Sequence, residues 1–430
     1  MTSANLFTGA PDLHGKPNAL KQHNLRYVIS LLQDGDASAA AQLSAQTGLS
    51  KTTISKILSE LCARNLVRSA GKGDSATGNG KKPEFFTINA TYALTIVLSL
   101  FGREGLRCSV VDLCGNVWHE ADYGLPQEGG YPALLDVMRT ALHHAFSHAG
   151  ADAHRICGIA IGYGGTANTD LGEILYPPCS AEAQFCPVCA DLAGSVPEDV
   201  MIYVDNIGHF SGYAELMFEK EKDVSRIAVI SCGEVINGST LSASQQRPGN
   251  RGIVGEFGHF ILNPASPTTC YCGSKGCLES LISERAILAY GRKIAPDYPF
   301  SALAVRAVAH EIGIDDILSA LGSRDRFAEA VFAPVCDYLS ILIRNLVVLQ
   351  SVSKVIIQGS YVRAGEDFLN GLKARVNRYC SYATGGDFPI EYSRWSLQGP
   401  EADKKACVYG AARYTSNFYL DNLVAEWFSA

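Results

Sequence analysis

The run Gly255-Glu256-Phe257-Gly258-His259, followed ten residues later by Cys270-Tyr271-Cys272-Gly273-Ser274-Lys275-Gly276-Cys277-Leu278-Glu279, concentrates more chemistry than any other part of the chain. Structural zinc takes four nitrogen or sulfur ligands arranged as a tetrahedron. Cys270, Cys272 and Cys277 can converge on one point because Gly273 and Gly276 let the backbone bend between them, and His259 supplies a fourth donor. The plain alternative is three thiols packed as small apolar side chains. Cys186-x-x-Cys189 is a weaker candidate for metal or redox chemistry, since no second ligand pair lies near it.

Outward from this segment, apolar strands recur at 94–100, 106–113, 156–161, 200–204, 227–231 and 355–357, with helical patterns at 132–149, 283–293 and 327–349 between them. That alternation predicts an α/β body of two lobes. At 430 residues the chain exceeds what one core supports, and 47% hydrophobic with 18% charged residues is an ordinary globular mixture. No apolar run has the length of a membrane span, and residues 1–17 lack the order of a secretory signal, so the expectation is a cytoplasmic protein without a membrane partner. Fourteen cysteines in that compartment point to metal binding or buried thiols rather than disulfides.

Residues 1–17 read as a flexible arm, and the pattern changes again between 18 and 89. Asn18 is placed to cap a helix carrying Leu20, Tyr27, Val28, Leu31 and Leu32, and Ser38 to cap a second helix running to Thr47. Gly48 suits the positive φ of a tight turn, Leu49 plugs the core, and Ser50 caps a third helix with Ile54, Ile57, Leu58 and Leu61 facing inward. Two strands, 66–68 and 84–88, flank a glycine-rich basic hairpin. This is the pattern of a winged helix-turn-helix, in which the second helix of the pair meets the major groove. Its candidate contacts with double-stranded operator DNA are Ser50, Lys51, Thr52, Thr53, Ser55 and Lys56, with Lys81 and Lys82 in the wing. The net charge of −7 argues against a basic coat, yet between residues 20 and 90 nine cations face five anions, a basic module on an acidic body.

The quoted segment resembles the signature of the ROK family (repressors, open reading frames and sugar kinases). Gly80-Lys81-Lys82-Pro83 resembles the Gly-Arg-Arg-Pro wing end of its repressor branch, which includes the xylose and N-acetylglucosamine repressors. The resemblance implies a two-lobed actin-like (RNase-H-like) sugar-kinase fold. Lobe 1 is then 90–205 completed by 395–430, and lobe 2 is 206–394 with the zinc loop. It further implies zinc on His259, Cys270, Cys272 and Cys277, and a sugar or sugar phosphate on Asn206, Glu256, His259 and Glu279. Glu256 alternatively caps a helix or supports the metal ligands.

A kinase of this family carries an Asp-x-Gly-Gly-Thr phosphate loop and a catalytic Asp after an Asn. Gapless alignment puts 100–104, Leu-Phe-Gly-Arg-Glu, on that loop and Ile207 on the catalytic Asp, following Asn206. A one-residue gap puts Asn206 there instead, leaving Asp205 beside it. Neither isoleucine nor an amide accepts the proton that phosphoryl transfer releases. The expectation is therefore no enzyme but a repressor of carbohydrate metabolism, acting as a homodimer or homotetramer and sensing its ligand in an inactive cleft. The rivals are an ATP-dependent sugar kinase and a ligand-independent DNA-binding protein.

Overall fold

The structure is a computed structural model describing residues 17–72, 82–101, 105–177, 182–218, 225–242, 255–384 and 386–428. The expected arm lies outside these residues except Pro17, which opens the first helix.

The N-terminal unit comprises α1 (Pro17–Asp34), β1 (Ser38–Ala39), α2 (Ala40–Thr47), α3 (Lys51–Ala63), β2 (Val67–Lys72) and β3 (Glu84–Ile88). β3 pairs antiparallel with both β1 and β2. Gly48 ends α2 at φ 73°, and the Ser50 hydroxyl accepts a hydrogen bond from Thr53 N at 3.1 Å, as the sequence led us to expect. Two expected caps differ. Asn18 lies within α1, which Pro17 opens because a missing N–H costs nothing at a helix start. Ser38 is drawn into β1 opposite Phe86, and the N-terminus of α2 is closed by Gln42, whose Oε1 accepts from Ala39 N at 2.7 Å.

The body begins with β4 (Leu94–Leu100), β5 (Leu106–Asp112), β6 (Val117–Tyr123), α4 (Gly130–Ala149) and β7 (Ile156–Tyr163). β8 (Ala167–Asn168), β9 (Glu173–Tyr176) and β10 (Gln184–Cys186) form a small antiparallel sheet, followed by α5 (Val188–Ala193) and β11 (Met201–Asn206). The main sheet runs β11-β7-β4-β5-β6, antiparallel across β4-β5-β6 and parallel across β4-β7-β11. Every residue of β4 and β7 is buried, as strands covered on both faces require.

A second sheet, β13-β12-β14-β15, is built from β12 (Arg226–Cys232), β13 (Ile236–Ser242), β14 (Lys354–Gln358) and β15 (Ile390–Tyr392). Its helices are α6 (Ile207–Phe218), α7 (Leu278–Ile282), α8 (Glu284–Ile294), α9 (Ala302–Val308), α10 (Ile314–Gly322), α11 (Arg326–Gln350) and α12 (Gly365–Thr384). α11 has the length and apolarity of a membrane span, but its buried face, Phe327 to Leu346, fills this lobe's core.

The last helix, α13 (Pro400–Glu426), packs along α6 and against β4 and β7, and its end meets the N-terminal unit. Leu420 and Val424 share one apolar cluster with Leu25, Val28 and Ile29 of α1 and with Leu113. Inside this seam Arg413 is fully buried. Its Nη1 donates to Leu113 O at 3.0 Å and its Nη2 to Asp34 Oδ1 at 2.6 Å, while Gln33 Nε2 also donates to Leu113 O. Burial works against the guanidinium charge, and Asp34 together with Tyr409, Tyr213 and Cys114 more than offsets it. Arg26 of α1 pairs with Asp421 of α13. Removing one partner of a buried pair strands the other charge, at a cost of about 3–5 kcal/mol. Asp34→Ala is therefore expected to lower unfolding stability by about that amount in urea titrations, whereas exchange of an exposed acid such as Asp136 leaves it nearly unchanged.

Candidate functional site

A cleft of about 260 Å³ opens between the two sheets, at the point where β11 ends and α6 begins. Asn206, Glu256 and His259 line it, together with Thr166, Asn237 and Tyr271, and Leu175, Val235 and Ile236 give it an apolar side.

Asn206 is held rigidly: its Nδ2 donates to Gly165 O at 2.9 Å and its Oδ1 accepts from Gly208 N at 2.7 Å. The preceding Asp205 is committed elsewhere. Its Oδ1 accepts from Asn206 N and from His209 Nδ1, both at 2.7 Å, and both side chains are buried. Ile207 turns away into a small apolar cluster with Phe101 and Phe210 against β4 and β7. Glu256 reaches the cleft through Gly255, at φ 99°, where a Cβ would lie 2.1 Å from Gly238 O. Burial raises the pKa of Glu256, with Thr166 and His209 acting in the other direction. Its carboxylate caps no helix; Thr166 Oγ1 donates to it at 3.4 Å.

Glu279 is not brought to the cleft wall. It is buried one layer behind, where Oε2 accepts from Ile236 N at 2.6 Å, and burial pushes its pKa up to about 7. Its position follows from the first turn of α7, which directs it at β13 rather than at solvent. Sequence reasoning passed over Tyr271, Thr166 and Asn237. Only Tyr271 carried a signal, standing between two candidate ligands.

His259, Cys270, Cys272 and Cys277 do converge. One ligand atom from each lies within 4.8 Å of all the others. Cys272 Sγ is 3.6 Å from Cys277 Sγ, and Cys270 Sγ is 3.7 Å from His259 Nδ1. A tetrahedron with metal–sulfur bonds of about 2.3 Å has edges of roughly 3.7 Å, so the two shortest donor pairs already match a four-coordinate ion. The turn is closed by Gly273 N on Cys270 O at 2.9 Å and Cys270 N on Ser274 O at 2.8 Å. Gly276, at φ 75°, would drive a Cβ into Asn263 O. Among the described residues no other such group is found. Cys186 and Cys189 instead pack with the core of the first sheet, where burial raises both thiols.

Of the expected DNA contacts, Ser50, Lys51, Thr52, Ser55 and Lys56 are exposed on α3 and its cap, and Thr53 is half-buried. Lys82 is exposed beside β3; Lys81 lies outside the described residues, as do residues 102–104 of the expected loop.

The ROK family model matches residues 100–414. The chain belongs to the ROK family. Its curated relatives include a putative xylose repressor of Caldicellulosiruptor sp. (strain Rt8B.4), 24% identical over 92% of this chain and 96% of that protein. The DNA-binding transcriptional dual regulator NagC of Escherichia coli (strain K12) is 21% identical over 87% of this chain and 90% of its own. Among solved structures, a ROK family transcriptional regulator homologous to the E. coli MLC protein superposes with a TM-score of 0.74 at 23% identity, covering 95% of this chain and 98% of its own. A ROK hexokinase from Thermus thermophilus gives 0.57 at 22% identity, covering 75% of this chain and 98% of its own. These likenesses establish a mixed α/β fold with a ROK kinase-like body.

Cobalt(II) reports thiolate coordination by intense charge-transfer absorption. One equivalent is expected to bind the purified chain tetrahedrally, and Cys272→Ala, at the exposed corner of the cluster, is expected to abolish that absorption while leaving the circular dichroism unchanged.

Proposed function

We propose that this chain is a cytoplasmic transcriptional repressor of carbohydrate metabolism, which reads DNA through an N-terminal winged helix-turn-helix and senses a sugar or sugar phosphate in an actin-like, catalytically inactive cleft. The observation that carries this reading is one continuous path between the two parts. α6 starts immediately after Asn206 in the cleft and packs along α13, and α13 holds α1 through Arg413–Asp34 and Arg26–Asp421. A ligand acts on DNA affinity only where it favours one arrangement of such a path over another.

The reader is supported by the α2-turn-α3 geometry, by the exposed polar start of α3 and by β2–β3 as the base of a wing. Coverage points the same way: the solved regulator aligns with 95% of the chain, the hexokinase with 75%. The names of the curated relatives support repression and a sugar effector. Loss of kinase chemistry is supported by Ile207 packed in hydrocarbon and by Asp205 bound to His209, which leaves no carboxylate at the position of the family's base.

Zinc is our choice for the three-thiol, one-imidazole set, in which His259, Cys270, Cys272 and Cys277 would hold it. When bound, it fixes the loop that forms one wall of the cleft. A homodimer or homotetramer would present two reading heads to half-sites about one turn of DNA apart.

The test begins with operator fragments selected from genomic DNA by the purified protein. Lys56→Ala is expected to weaken binding across all selected sequences and to reduce the slope of log K against log salt by about one, as loss of one phosphate contact does. Addition of the cognate sugar is expected to release the DNA. ADP formation with any sugar in a coupled assay would instead favour a kinase, and DNA binding indifferent to every sugar would favour a ligand-independent regulator.

A further inference from the structure

We infer that Tyr271 is a displaceable placeholder in the cleft: its hydroxyl occupies the imidazole nitrogen of His259 that an incoming ligand hydroxyl would use. The inference rests on the sugar reading above and goes beyond it by naming a residue that filters ligands.

The geometry is specific. His259 Nδ1 faces the cysteines, 3.7 Å from Cys270 Sγ. An imidazole that gives Nδ1 to a metal keeps its proton on Nε2, which makes that nitrogen a donor. Nε2 lies 3.0 Å from Tyr271 Oη, with the phenol ring edge-on to the imidazole at 5.0 Å between centroids. Both residues line the cleft with Glu256 and Asn206, so the donor that points at the ligand space already has an acceptor from the protein itself.

The backbone bonds that fix the loop do not pass through the side chain of the tyrosine. Its backbone sits inside the turn fixed by the Gly273–Cys270 and Cys270–Ser274 hydrogen bonds, whereas its side chain is partly exposed. Rotation of that side chain vacates Nε2 and leaves the cysteines where they are. A ligand that offers a hydroxyl at this point exchanges one neutral hydrogen bond for another; a ligand that lacks it must leave Tyr271 in place or strand the donor. Tyr271 thereby lowers affinity for every ligand and lowers it most for those unable to replace it.

The phenylalanine variant keeps the ring and removes only the competitor. With metal-loaded full-length protein and D-xylose, D-glucose, N-acetyl-D-glucosamine and the hexose 6-phosphates as calorimetric probes, Tyr271→Phe is expected to bind the cognate probe roughly threefold to tenfold more tightly than the wild type. In histidine-labelled protein without sugar, the Nε2 proton of His259 is expected to exchange with water at least about tenfold faster in the variant, as loss of its acceptor requires. A probe that binds both proteins equally, or the variant more weakly, overturns the inference alone, as does a proton whose exchange is unchanged. If no probe binds either protein, the inference falls together with the sugar reading.

Discussion

The architecture depends on a guanidinium placed where no charge can stay alone. Arg413 is sealed between the last helix, the first helix and the end of β5, where Asp34 and the Leu113 carbonyl help make that position tolerable. An ion pair of this kind contributes little net stability compared with a hydrocarbon pair, but it accepts few alternative geometries. The apolar cluster around it, from Leu25 to Val424, supplies the adhesion, and the charged pair supplies the register. The N-terminal unit is therefore docked on the body in a defined way instead of hanging from a linker.

The other end of the same path lies in the cleft. α6 follows directly on Asn206, whose side chain is bonded to Gly165 on one lobe and to Gly208 on the helix itself. Tyr213, farther along α6, receives a hydrogen bond from Asn417 of α13, which ties the two helices together. Beside Asn206, Ile207 is a hydrocarbon anchor and Asp205 is bonded to His209. Those groups brace the start of α6.

Much of this was legible in local sequence. Gly48 and Ser50 announced the turn and the cap because positive φ and a side-chain acceptor are local requirements. The cysteine spacing with its glycines announced the convergence of the three thiols for the same reason. Ser38 misled because a serine before a helix is equally content in a strand, and pairing with Phe86 decided between them. Glu279 was assigned to the ligand by its place in the motif, yet the first turn of α7 aims it at the backbone of Ile236. The Arg413–Asp34 contact joins residues 379 positions apart, and no local pattern marks such a pair. Tyr271 was in plain view, but its role depends on which way the neighbouring imidazole faces.

The central claim is that cleft and reading head share one equilibrium. Thermodynamic linkage then requires reciprocity, and the most direct measurement is the affinity of the cognate sugar by calorimetry with and without saturating operator DNA. The account predicts that DNA weakens sugar binding by the same factor by which sugar weakens DNA binding. Sugar affinity that is identical in the two conditions would contradict it.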